Sequence, residues 1–99
     1  MLHVRHVLLT THALERYRER VCPHGTSQEV TAAVLESRPA APRELRHRKR
    51  QRGAMAIHEP SGAAFVLLPV QGEPGTWSVV TVLHQSMLEK RRLADHLPD

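Results

Sequence analysis

The sequence predicts an α+β fold: an N-terminal strand and two helices packed on a small, mostly antiparallel sheet, with a short C-terminal helix. Three observations carry this. Two segments in the first 40 residues have helix-start signals, a cluster of apolar, β-branched runs separated by Gly/Pro turns fills residues 54–84, and one more capped segment closes the chain. At 99 residues and 40% apolar content, the chain has material for one core and so for one domain over 1–99.

Residues 2–9, L-H-V-R-H-V-L-L, alternate and then turn continuously apolar, as a strand with one wet face does. Thr10 or Thr11 then caps a helix through about residue 21, where Pro23 and Gly25 stop it. Thr26 and Glu29 have capping-box spacing, and Val30, Ala33, Val34 and Ser37 follow at helical intervals until Arg38 meets Pro39. A-M-A-I-H (54–58) and A-A-F-V-L-L-P-V (63–70) flank E-P-S-G, whose Pro and Gly placement suits a type I turn, so the two runs predict a hairpin. W-S-V-V-T-V-L-H (77–84) is the strongest strand signal because it is rich in β-branched residues. Ser86 and Glu89 repeat the capping spacing ahead of the last helix.

Charge narrows the functional classes. Lysine and arginine total 14 against 10 acids, and 12 of the 14 are arginine, whose planar fork suits phosphate oxygens. Residues 38–52 hold seven of these cations and one acid, while the rest of the chain is mildly acidic. A concentrated patch of this kind suits a polyanion, and Arg46, His47, Arg48, Lys49, Arg50 and Arg52 are the candidate nucleic-acid contacts. A solvated loop or a surface for an acidic protein fits the same pattern. With Tyr17, Phe65 and Trp77 as its only aromatics, the chain lacks a base-stacking platform, so binding should rest on backbone charge.

No 18-residue apolar run occurs, and the apolar start is interrupted by His and Arg, so neither a membrane span nor a secretory leader is expected. Cys22 is the single cysteine. A cytoplasmic location is the expectation. The only aspartates are Asp95 and Asp99, which disfavours a carboxylate-clustered two-metal site, and His3, His6, Cys22 and His24 lack a metal-ligand spacing. No metal or other cofactor is expected.

On the first helix, Leu14, Tyr17 and Val21 fall in one sector and should rest on the sheet. His12, Arg16 and Arg20 run along another line, one turn apart. An imidazole and two guanidiniums are parts that move a proton beside a phosphate and hold its charge. The pattern also serves plain solvation, with Glu15 and Glu19 pairing to neighbouring arginines.

The phrase H-A-L-E-R-Y-R-E-R, followed by a capped second helix, a basic middle and a terminal V-V-T-V strand, resembles small bacterial and phage proteins related to RelE-like toxins. More widely it resembles the barnase, EndoU and colicin nuclease grouping. The likeness spans about residues 8–84. It implies a metal-independent endoribonuclease, with His12, Arg16 and Arg20 as catalytic candidates and Thr81 of V-V-T-V as a further one. Metal-free RNA cleavage needs a base for the 2′-OH, an acid for the departing 5′-oxygen and a cation for the phosphate. His12 suits either proton role, with His47, His58 or His84 as the second carrier. The partners so implied are RNA, free or ribosome-bound, and an acidic antitoxin-like protein. The competing reading is a non-catalytic regulatory factor of phage or bacterial type that grips a nucleic acid or a host protein.

Overall fold

The computed structural model describes residues 4–41 and 53–87. The segment 46–52, with its candidate nucleic-acid contacts, lies outside the described residues, as does the C-terminal stretch beyond Met87.

Chain order is β1 (His6–Leu9), α1 (Thr11–Arg20), α2 (Ser27–Leu35), β2 (Arg38–Pro39), β3 (Ala54–His58), β4 (Ala63–Pro69) and β5 (Thr76–His84). The five strands form one sheet in the order β1-β5-β4-β3-β2. Among the described residues only the β1–β5 pair is parallel; the other three are antiparallel. This is the expected α+β class with a mixed, mostly antiparallel sheet. None of the described helices is long and apolar enough to cross a membrane.

Strand β1 starts at His6 rather than at residue 2, because its partner starts at Thr76 and the Gly75 carbonyl accepts the N–H groups of both Arg5 and His6, at 2.8 and 3.1 Å. Thr10 then does two jobs. Its hydroxyl accepts from the Ala13 N–H at 3.0 Å, capping α1, and donates to the Val79 carbonyl at 3.0 Å, tying the helix start to β5. At the other end, the Tyr17 carbonyl takes the N–H groups of Val21 and Cys22, and Pro23 prevents continuation. The exit then folds tightly against the helix: a Cβ on Gly25 would stand 2.4 Å from the Tyr17 ring, so glycine is the residue that fits. Thr26 caps α2 by accepting from the Glu29 N–H at 3.2 Å.

The sequence reading did not include β2. Arg38 and Pro39 end the helical segment as expected, but they also pair with Ile57 and Ala56 at the sheet edge. An edge is where a proline, with no N–H to give, is tolerated.

Both helices cover one face of the sheet. Ala13 and Tyr17 of α1 and Val30, Ala33 and Val34 of α2 pack on Ala56, Ala63, Phe65, Leu67, Val79 and Val82. Leu14 and Val21 pack at the margin of this cluster, as their helical spacing implies, whereas buried Ala13 was not anticipated. The Tyr17 and Phe65 rings stack at 6.3 Å between centroids. The opposite face holds a second cluster of Met55, Ile57, Ala64, Val66 and Leu83.

Burial pushes the Tyr17 phenol above its ordinary value of 10.0, and the nearby Cys22 and Glu29 push the same way. The neutral phenol is therefore favoured by folding. Its contribution to stability is complete below the unfolded-state value near 10 and is lost as pH rises through the folded-state value. Urea unfolding at about pH 8 and about pH 11 should show a steeper alkaline loss in the wild type than in Tyr17→Phe. Equal losses would contradict this account.

In β5, register sets the direction of each side chain. Val66 pairs with Thr81 but Leu67 pairs with Val79, leaving Val80 as an extra residue, a β-bulge. Beyond it, Val82 returns to the helix face opposite Phe65, and His84 stands opposite Ala63. The last helix begins at Gln85. Its cap is His84 rather than Ser86: the imidazole Nδ1 accepts the Ser86 N–H at 3.1 Å, the role the sequence reading gave to a serine hydroxyl.

Candidate functional site

Helix α1 packs chiefly along β5, and its polar line lies on the flank next to that strand. His12 is exposed, two residues past the Thr10 cap. Arg16 is half-buried and its Nη1 donates to Glu19 Oε2 at 2.7 Å. Arg20 turns toward the sheet, where its Nη1 donates to the Val82 carbonyl at 2.8 Å. Strand β1 pairs with β5 only as far as Val79, so from Val80 onward the same edge of β5 is bordered by α1 instead. Arg20 can reach a main-chain oxygen there because no strand occupies that edge among the described residues.

The four residues implied by the resemblance are thus not all gathered. His12, Arg16 and Arg20 share one flank of α1. Thr81 is half-buried and pairs with Val66, a member of the cluster on the opposite face, so it sits across the sheet from α1.

The structure also groups residues that the sequence scatters. His58 and His84 both pair with Ala63, one from each side, so the two imidazoles belong to one row across three strands. His58 Nδ1 lies 2.7 Å from Ser61 Oγ, and its Nε2 lies 3.3 Å from Glu36 Oε2. His84 Nδ1 lies 2.8 Å from Ser86 Oγ in addition to accepting the Ser86 N–H. Its Nε2 stands 2.6 Å from where a Gly62 Cβ would be, and Gly62 itself takes φ +77, a left-handed conformation that closes the hairpin turn. Arg38 and Glu59 form an exposed ion pair at 2.8 Å beside this turn.

Sequence reasoning had His58 and His84, with His47, as alternatives for the second proton carrier but missed Glu36 and Ser61. Glu36 follows α2, 22 residues from His58, and Ser61 read only as a turn residue. Neither carries a local signal, because the association is made by the β3–β4 hairpin folding beside the end of α2. Among the described residues, no three His, Cys, Asp or Glu side chains are placed to hold a metal ion. No protein-family model, curated protein or solved structure significantly matches this chain.

Proposed function

We propose that this protein is a metal-independent endoribonuclease of toxin type, a relative of the RelE-like proteins, that holds the RNA backbone through its Arg-rich middle segment. The observation that carries the reading is the Arg20 anchor on the Val82 carbonyl. It fixes the His12, Arg16 and Arg20 flank against β5, the strand that ends in His84. On this reading Arg16 and Arg20 hold the phosphate, His12 moves one proton and His84 the other. The His84 tautomer suits a donor: Nδ1 accepts a main-chain N–H, so a neutral ring carries its proton on Nε2. Thr81, on the far face, is left without a direct part.

The test is incubation of the full chain with labelled RNA, with and without chelator. Chelator-resistant cleavage that is lost in His12→Ala and Arg16→Ala supports the proposal. Unchanged cleavage in both variants refutes the site.

A non-catalytic nucleic-acid- or host-protein-binding factor is the second reading. What favours it is that both guanidiniums are already engaged, Arg16 by Glu19 and Arg20 by Val82. Either way, RNA affinity should fall steeply with salt. For single strands the slope of log K against log salt is about −0.7 per phosphate neutralised, so Arg46→Ala with Arg48→Ala should flatten it by about 1.4. A slope untouched by this pair would remove the segment from the interface. Ribosome-bound message and an acidic antitoxin-like protein are the partners this charge would suit.

A further inference from the structure

The turn joining β3 to β4 carries a second chemical constellation, of which the ribonuclease reading uses His84 but not Ser61, His58 or Glu36. Ser61 Oγ and His58 Nδ1 are 2.7 Å apart, and the other nitrogen of that ring faces Glu36 Oε2 at 3.3 Å. An ionised carboxylate can only accept, so the Nε2 of His58 carries the proton and Nδ1 turns its lone pair to the Ser61 hydroxyl. The His58 side chain is only 12% exposed, and its hydrogen bond to Ser61 is partly buried, whereas Glu36 stands in solvent. On the adjoining residue, Gly62, the missing side chain leaves room for His84, whose Nε2–H is directed by the Nδ1 cap described above. Two consecutive turn residues therefore meet one imidazole each.

We propose that Ser61 is an activated nucleophile, with His58 as its base, Glu36 orienting that base and His84 as a hydrogen-bond donor, and that the centre takes small activated carboxylic esters. Nucleophile, base and orienting group in hydrogen-bond sequence are what covalent catalysis by a hydroxyl requires. Ser61 Oγ bonds to the ester carbonyl carbon as its proton passes to His58 Nδ1, and the carboxylate of Glu36 stabilises the resulting imidazolium. Negative charge on the carbonyl oxygen is met by the His84 Nε2–H. Collapse breaks the bond from carbonyl carbon to leaving oxygen, and His58 returns the proton to the departing alkoxide or phenoxide. Water, deprotonated by His58, then releases the carboxylic acid and restores the Ser61 hydroxyl.

The backbone explains the choice of substrate class. The Gly62 N–H donates within the turn to the carbonyls of His58 and Glu59, and the Ala63 N–H donates to Ser61 Oγ at 3.3 Å. With these donors engaged, one imidazole carries the oxyanion, which suits esters with good leaving groups rather than amides. Glu59 and Pro60 are exposed, so the centre lies at the surface, where a small acyl group needs no deep pocket to reach Ser61.

The experiment treats the full chain with p-nitrophenyl acetate and, separately, with a fluorophosphonate probe, followed by intact-mass measurement and peptide mapping. A burst of nitrophenolate and a single adduct mapped to Ser61 are expected, and both are absent in Ser61→Ala. His58→Gln should slow adduct formation by about 10²-fold or more and remove its dependence on a single ionisation. Glu36→Gln, at an exposed carboxylate, keeps the fold and should slow it by a smaller factor. No adduct in the wild type, an adduct on another residue, or labelling undiminished in Ser61→Ala would overturn the proposal. Because Ser61 has no part in the RNA reading, RNA cleavage measured on Ser61→Ala separates failure of one proposal from failure of the other.

Discussion

Replacing Phe65 by alanine is expected to lower the unfolding free energy by about 3–5 kcal/mol, the range for loss of a buried aromatic side chain. Phe65 is 0% exposed and lies where the helix layer meets the sheet. It pairs with Ala56 on one side and Val82 on the other, and it stacks on Tyr17 from α1. Alanine at 56 cannot grow into the space, and Tyr17 is held in place by the chain at Gly25, so the cavity would collapse poorly. A domain of this size has about 5–15 kcal/mol in total, so the variant would keep only part of its stability. Phe65→Leu preserves most of the volume and should cost less than about 1.5 kcal/mol. Urea unfolding with a lowered midpoint and an unchanged slope is the measurement. A midpoint close to wild type for the alanine variant would show that the core is centred elsewhere.

On the ribonuclease reading, His12→Ala is expected to slow RNA cleavage by about 10²–10⁴-fold, the usual share of a positioned proton carrier. Its side chain is exposed, so the unfolding midpoint should not move. Arg16→Ala should likewise reduce cleavage with a small change in stability, since its partner Glu19 is itself largely exposed. Arg20→Ala should differ from both: it removes the donor on the Val82 carbonyl, so cleavage and stability fall together. Single-turnover cleavage measured beside urea unfolding separates these patterns. A His12 variant that cleaves at the wild-type rate would leave α1 as a structural helix.

The class of fold and six of the elements were legible because each rests on local chemistry. Thr10 and Thr26 cap the helices whose starts they mark, and the 54–58 and 63–69 strands flank the expected E-P-S-G turn. What was not legible depends on distant partners. The Arg38–Pro39 strand exists only because β3, 16 residues on, presents an edge to it. Thr81 shows the point most clearly. Simple alternation from Val79 would place it on the helix face beside α1, and the extra residue at Val80 turns it to the other side. A bulge leaves no reliable mark in a run such as V-V-T-V. The candidate site divides the same way: the flank formed by His12, Arg16 and Arg20 follows from helical spacing, whereas the meeting of Glu36 with His58 requires α2 and the hairpin to be in place.

The parallel pairing of His6–Leu9 with β5 gives the molecule a late closing step. Val79 accepts from the Thr10 hydroxyl 69 residues away, and β1 has no other sheet neighbour among the described residues. During synthesis the leading strand must therefore wait, unpaired, until nearly all of the sheet has left the ribosome, and the α1 start is unanchored for the same interval. Joining ends so far apart is entropically slow. Completion of the fold thus waits for β5, and a chain interrupted before Thr76 would leave His6–Leu9 without its one sheet partner among the described residues.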